Sequence, residues 1–176
     1  EPLIVVWPGV IEPGTRSDEL MCLSDLMATC ADILGEQLPD DAGVDSVSMM
    51  PLLRGEGPSN RSTVVHHSIS GKFAIRDGQW KLVLCPGSGG WTHNDAEAAR
   101  EGLPLVQLYD MQADPGEKNN LQETHRDKVK ELIALLKKQV ADGRSTSGAP
   151  QSNDADVDIW KLDSMPEVDP KALDDY

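Results

Sequence analysis

The chain is poor in aromatic residues. Four Trp, two Tyr and one Phe are all that its 176 residues hold, so any core is built mainly of aliphatic side chains. Cysteines are few: Cys22, Cys30 and Cys85, an odd number with no CxxC spacing. That argues against a disulfide framework and a zinc knuckle, and leaves room for one pair and one free thiol. Long apolar runs are missing. The longest candidates, Leu3–Trp7 and Leu132–Leu136, are core-sized and fall far short of the ~18–20 residues of a membrane span. Positive charge is scarce: 16 Lys and Arg stand against 30 Asp and Glu, a formal net charge of −14. Such a field repels phosphate backbones, so nucleic acid is not an expected partner. It leaves open an anionic small substrate held in a locally positive pocket. The chain opens Glu1-Pro2 rather than with Met and runs directly into an apolar stretch. That is the pattern expected of a piece cut from something longer.

What is present reads as a globular α/β edge followed by an α+β unit. Leu3–Trp7 is a continuous apolar run stopped by Pro8-Gly9, as in a strand covered on both faces. Leu20–Leu23 is a candidate short strand. Ser24 is placed as the N-cap of a helix whose Leu26, Cys30, Ile33 and Leu34 recur at helical spacing, with Gly35 in the C′ position. Residues 36–62 read as loop with one helical turn at Met49–Leu53. Thr63–Ser70, Lys72–Arg76 and Gln79–Leu84 are strand-like, and Asp77-Gly78 is a type I′ hairpin signal. Trp80 alternates with Leu82 and Leu84, a core face. Cys85–Gly90 is a flexible glycine-rich loop, and Val106–Tyr109 is a further strand closed by the turn Asp114–Glu117. Thr124 and Asp127 form a capping box. Val129, Leu132, Ile133, Leu136 and Val140 form the stripe of the last helix, ended by Gly143.

The expected fold class is therefore α+β: a small antiparallel sheet packed with a C-terminal helix, preceded by a strand–helix remnant of a larger α/β domain. The expected division is 1–60 for the remnant, 61–143 for the α+β subdomain and 144–176 for an extended acidic tail. From Gln151 to Tyr176 eight acids face only Lys161 and Lys171, with Ile159–Leu162 as the place where the tail docks.

Complete catalytic constellations are absent from the pattern. His66 and His67 are adjacent on a strand. They therefore point to opposite faces and do not readily share a metal. Either one faces a pocket or is a hydrogen-bonded strand histidine. Neither has a partner at HxH or HxxxH spacing, so no zinc site is expected. The glycines after Cys85 lack the Lys-Ser/Thr of a P-loop. The doublets Asp40-Asp41 and Asp174-Asp175 lack the alternating spacing of a calcium loop. There is no GxSxG elbow.

Several strings nevertheless resemble the sulfatase family. Leu3–Gly9 with Pro13-Gly14 is similar to its "I-x-x-W-P-G-x-I-x-P-G" segment, and Ser24–Thr29 to its "D-L-x-P-T" helix start, with Ala28 in place of Pro. Residues Asp45–Gly55 resemble "D-G-x-S-L-x-P-L-L-x-G", with Ser46 in place of Gly. Ala74–Leu82 resembles "R-x-G-x-W-K-L" and Leu108–Leu121 resembles "L-Y-D-L-x-x-D-P-x-E-x-x-N-L". Gly143–Gly148 resembles "G-R-S-T-P-G". The blocks run in family order over about residues 1–150.

The resemblance implies a sulfate-ester hydrolase of the alkaline-phosphatase-like superfamily. In that family a formylglycine made from Cys or Ser attacks sulfur, and calcium neutralises the sulfate oxygens. The nucleophile motif C/S-x-P-S/A-x-R fits none of Cys22, Cys30 or Cys85. The calcium ligands and the "G-K-x-x-x-x-E-G-G" lysine of the family precede the matched strings. No catalytic and no metal residue is therefore assigned here, and calcium and formylglycine are expected only in a full-length enzyme. The chain reads as the C-terminal part of such an enzyme, inactive alone. Its substrate is expected to be a sulfated glycan or an aryl sulfate ester. The family's C-terminal subdomain closes one side of the pocket, so His66, His67 and Lys72 are the candidate substrate-binding residues, followed by Arg144 and Trp91. Arg76, Trp80, Lys81, Tyr109 and Asp114 are taken as structural. Periplasm or secretion is the expected location. Self-association through an exposed first strand is expected of the chain alone. Two other readings stay open at this point: a non-catalytic glycan- or protein-binding module, and a fragment of a related phosphodiesterase or phosphatase.

Overall fold

The computed structural model describes residues 3–166 and 168–176. They fall into two compact units: residues up to Ser62 together with Arg144–Gln151, and Thr63–Gly143 together with Ser152–Tyr176.

The second unit is a four-stranded antiparallel meander, β1 (Thr63–His67), β2 (Phe73–Asp77), β3 (Trp80–Val83) and β4 (Gln107–Asp110), in spatial order β1-β2-β3-β4. The register pairs Val65 with Ile75, Ile75 with Leu82 and Leu82 with Leu108. Directly opposite residues share a face, so these four line one side of the sheet. The long helix, Arg126–Asp142, sets Val129, Leu132, Ile133 and Leu136 into one buried cluster with Ile75, Leu82, Leu84 and Leu108. The stripe predicted from spacing is thus the core, and Gly143 closes the helix in the left-handed conformation at φ 62°.

Local details depart from the sequence reading. The β2–β3 loop is Gly78-Gln79, because Asp77 and Trp80 are themselves paired. Gly78 alone carries positive φ, at 53°, so a type I′ turn, which needs it at both positions, is not formed. Thr124 does not cap the long helix. Its hydroxyl donates to the Leu121 carbonyl instead, and His125 occupies the N-cap position without a side-chain bond. A short helix, Asp95–Arg100, interrupts the expected loop, with Asn94 Oδ1 accepting the Ala96 and Glu97 N–H groups. Numbered in chain order with Asp25–Leu34 and Met50–Leu53, the helices are α1, α2, α3 (Asp95–Arg100) and α4 (Arg126–Asp142). The acidic tail is not extended over 144–176. Arg144–Gln151 returns to the first unit. The remainder forms the 3-10 turns Leu162–Ser164 and Pro170–Leu173, and buries Ile159 and Met165. Ile159 docks on the core cluster where expected.

The first unit is held by polar contacts. Leu3–Trp7 is not a strand, since no described strand pairs with it, and Leu20–Leu23 ends in the turn that opens α1. The Trp7 carbonyl accepts the Val10 and Ile11 N–H groups, which makes the Pro8-Gly9 turn. In α1 the predicted apolar stripe faces outward: Leu26, Ile33 and Leu34 are exposed, while Asp25 and Thr29 are buried. The cause is the Asp25 carboxylate. It takes two hydrogen bonds from Arg61 Nε, at 3.1 and 2.8 Å, pairs with Arg61 Nη2, and accepts the Cys22 and Val47 N–H groups. Thr29 donates to the Asp25 carbonyl and accepts the Met49 N–H. Turning these groups inward commits the opposite helix face outward. Ser24 makes no cap and donates to the Asp45 carbonyl.

Arg144 is a second anchor. Its guanidinium donates to the carbonyls of Asp40, Thr146, Ser147 and Ala149, and pairs with the Asp40 carboxylate at 3.1 Å. Gly148, at φ 144°, lies against it, and any side chain there would overlap the guanidinium.

Two outcomes follow. Leu132→Ala, in the core of the second unit, is expected to cost about 3 kcal/mol, whereas Leu34→Ala on the outward face of α1 costs below about 0.5 kcal/mol. Urea midpoints of the two variants check this. Asp25→Asn removes the counter-charge from the buried Arg61 guanidinium and is expected to cost about 3 kcal/mol. Burial pushes the Asp25 carboxyl up, but bonds from Arg61, Val47 and Cys22 more than offset it and hold it below the ordinary carboxylate value. The stabilisation is therefore complete above the ordinary carboxylate value and is lost as pH falls through the lowered one. Acid melts of wild type should show this loss, and melts of Asp25→Asn should lack it.

Candidate functional site

Antiparallel register separates the three candidate residues. His66 pairs with Ala74, and His67 with Phe73, so the histidines stand on opposite faces of β1 as the two-residue period requires. His66 shares its face with Arg76, Lys81 and Tyr109, which are linked to it through the pairs Arg76–Lys81 and Lys81–Tyr109. Lys81 is paired with Glu117 at 2.6 Å, and Arg76 Nε donates to the Gly78 carbonyl. Glu117 reaches Lys81 from a left-handed turn position, φ 53°. That turn is held by Asp114, whose carboxylate accepts the Lys118 and Asn119 N–H groups. Burial, then the Lys81 charge, lowers the His66 pKa, with Glu117 opposing. That shift favours the uncharged imidazole, a hydrogen-bonding group.

His67 lies on the other face with Phe73, and Lys72 just precedes β2. The His67 ring meets the Phe73 ring edge-on at 4.1 Å, and Lys161 Nζ stands 5.7 Å from the Phe73 ring centre. Burial and the Lys161 charge lower the His67 pKa. Lys72 is 2% exposed. Its ammonium donates to Ser164 Oγ at 2.7 Å and to the Lys161 carbonyl at 3.4 Å. Burial lowers its pKa, against the attraction of Asp95, Cys85 and Asp158. Lys72 thus reaches the 3-10 turn of the C-terminal segment.

The glycine-rich loop after β3 is packed, not flexible. Cys85, Pro86, Gly87 and Gly89 are buried. Gln107 Nε2 donates to the Cys85 and Gly87 carbonyls at 2.7 and 2.8 Å, and the Tyr109 hydroxyl donates to Gln107 Oε1. A Cβ on Gly87 would stand 2.6 Å from the His93 carbonyl oxygen. Asp95, at the start of α3, accepts the Gly89 N–H. Cys85 is wholly buried, and burial with Asp95 pushes its thiol up to about 12.

Sequence reasoning missed this framework of Gln107, Asp95 and Ser88. Each is an ordinary polar residue whose partner lies across a loop, and no spacing marks it. Among the described residues no three His, Cys, Asp or Glu side chains are grouped to hold a metal ion. No described helix is long and apolar enough to cross a membrane.

Known proteins match this architecture. Residues 1–146 fit the family described as N-sulphoglucosamine sulphohydrolase, C-terminal. An N-acetylgalactosamine-6-O-sulfatase of Bacteroides thetaiotaomicron is 36% identical over 138 residues, which cover 77% of this chain and 26% of that protein. Arylsulfatase A of Bos taurus is 34% identical over 150 residues, 78% of this chain and 29% of its own length. A sulfatase structure from work on glycosaminoglycan metabolism by Bacteroides thetaiotaomicron superposes with a TM-score of 0.52 at 32% identity, over 65% of this chain and 24% of that one. The chain thus spans about a quarter of the length of these relatives. The family match over residues 1–146, together with the sheet and helix it accounts for, shows that the chain belongs to the sulfatase family as its C-terminal portion.

Proposed function

We propose that this chain completes a sulfate-ester hydrolase acting on a sulfated carbohydrate, with its nucleophile and calcium supplied by the rest of the protein. The observation that carries the reading is the family match with its sulfatase relatives, among them an enzyme named for 6-O-sulfated N-acetylgalactosamine. The residues present here do not fit the two groups the family implies. No carboxylate cluster suits calcium among the described residues, and none of Cys22, Cys30 and Cys85 stands in the motif C/S-x-P-S/A-x-R. No chemical step is therefore assigned to this chain.

What the chain supplies is substrate recognition. Between Thr63 and Asn94 the only acidic residue is Asp77, against Lys72, Arg76 and Lys81 and three histidines. That basic stretch forms β1, β2, β3 and the loop after them, inside a chain of net charge −14. It offers an anionic ester a local attraction that the whole-chain charge does not. His66, on the face that carries Arg76 and Lys81, is the proposed contact; His67 stands on the opposite face of β1, and Lys72, 2% exposed, is occupied in anchoring the C-terminal segment through Ser164. Periplasm or the cell exterior is the proposed location, following the family's usual export.

The isolated chain also has an adhesive segment. Ile4 and Val6 are 87% and 82% exposed, and self-association through them is the proposed behaviour. Sizing by light scattering should show concentration-dependent growth that Ile4→Lys with Val6→Lys abolishes.

The test of function is sulfate release by the enzyme carrying this chain, loaded with calcium, from 6-O-sulfated N-acetylgalactosamine oligosaccharides and from nitrophenyl sulfate. Release is expected from the enzyme and none from the 176-residue chain alone. His66→Ala is expected to raise KM about three- to tenfold with little change in kcat, the loss of about one uniform hydrogen bond. Absence of release from every sulfate ester tried would remove the proposal.

A further inference from the structure

Trp91 is 78% exposed, and Ile69, on the β1–β2 turn, is 67% exposed. Gly90, the residue before Trp91, packs against this turn, where an added Cβ would stand 3.0 Å from Ile69 Cγ2. A single exposed apolar residue is ordinary. The difference here is the construction beneath the indole. Ser88 Oγ accepts the Thr92 and His93 N–H groups at 3.0 and 2.9 Å and donates to the His93 carbonyl, which also accepts the Ser88 N–H. Gly89 donates to the buried Asp95. Gly90, at φ 128°, fits against Ser70, where no side chain has room. Ser70 in turn donates its N–H to the Gly89 carbonyl. The backbone on both sides of Trp91 is therefore tied down while the ring is left in water.

Ring exposure on this scale gives up the burial that an indole normally gains. With the backbone held, only two side-chain torsions of the indole remain to be ordered, so it gives a ligand a flat apolar surface at small entropic cost. The chemistry that fits it is the C–H face of a pyranose. Sugar hydroxyls at the rim of such a face find Ser70 and Thr92, both exposed. The loop Pro86–Asn94 and the turn Ser68–Lys72 contain no acidic residue; the carboxylates that border the loop, Asp95 and Glu101, are engaged with the Gly89 N–H and with His93.

We infer that the Trp91 tip, with Ile69 on the adjoining turn, is a stacking subsite for a sugar ring of the glycan away from the ester being cleaved. This rests on the carbohydrate reading above. The test compares two substrates of the enzyme carrying this chain: a 6-O-sulfated N-acetylgalactosamine tetrasaccharide, which reaches beyond one ring, and nitrophenyl sulfate, which does not. Trp91→Ala is expected to raise KM for the tetrasaccharide about three- to tenfold, leaving nitrophenyl sulfate kinetics unchanged, and Trp91→Phe to recover part of the loss. An equal effect on both substrates, or none on either, overturns the subsite. If the wild-type enzyme releases no sulfate at all, it is the functional reading that fails. The subsite is then decided on the 176-residue chain by titrating it with the same 6-O-sulfated tetrasaccharide. A shift of the Trp91 indole N–H resonance sustains it, and an unmoved resonance overturns it.

Discussion

The register of the four-stranded meander is the constraint on which the second unit depends. Pairing Val65, Ile75, Leu82 and Leu108 in one row gives α4 an aliphatic surface to cover. The two-residue period of a strand then leaves no freedom for the residues between them. His66, Arg76, Lys81 and Tyr109 must stand on the far face, and His67 and Phe73 on the near one. A slip by one residue would bring the cations under α4, where burial without partners is prohibitive. Core packing and the placing of the basic side chains are one decision.

The first unit solves a different problem. Its buried groups are Asp25, Thr29, Arg61 and Arg144 beside Met49 and Met50. Buried charges of this kind need bonds on nearly every polar atom, and both arginines have them in abundance. The consequence is a helix, α1, that shows its aliphatic side outward. The string Gly143–Gly148 has a physical reading in the same terms. Arg144 needs carbonyls from its own loop, and Gly148 is the residue that lets the loop close over the guanidinium.

The loop after β3 joins these themes to function. Its glycines are sites of close approach, against Asp95, Ser68 and Ser70. The packed loop fixes Trp91 beside a turn that carries Lys72 at its end. Local positive charge, an exposed aromatic tip and strand histidines all come from one stretch of a strongly acidic chain.

Spacing alone was enough to find β1 to β4, the turn of α2 and the stripe of α4, since each is encoded by neighbours within a few residues. Recurrent strings were enough to point to the family. Spacing also separated His66 from His67, because alternation on a strand is a local rule. It did not yield α3, whose apolar side is little more than Ala98. It did not reveal that Leu26, Ile33 and Leu34 face outward, because the choice is made by Arg61, 36 residues beyond Asp25. Nor did it show that Lys72 ends at Ser164, 92 residues away. Hydrogen-bond partners at such separations leave no periodic trace. The sequence thus determined the four strands of the meander and helices α1, α2 and α4, while the tertiary structure left Leu3–Trp7 unpaired and decided which faces meet, because only folding brings the distant charges and acceptors together.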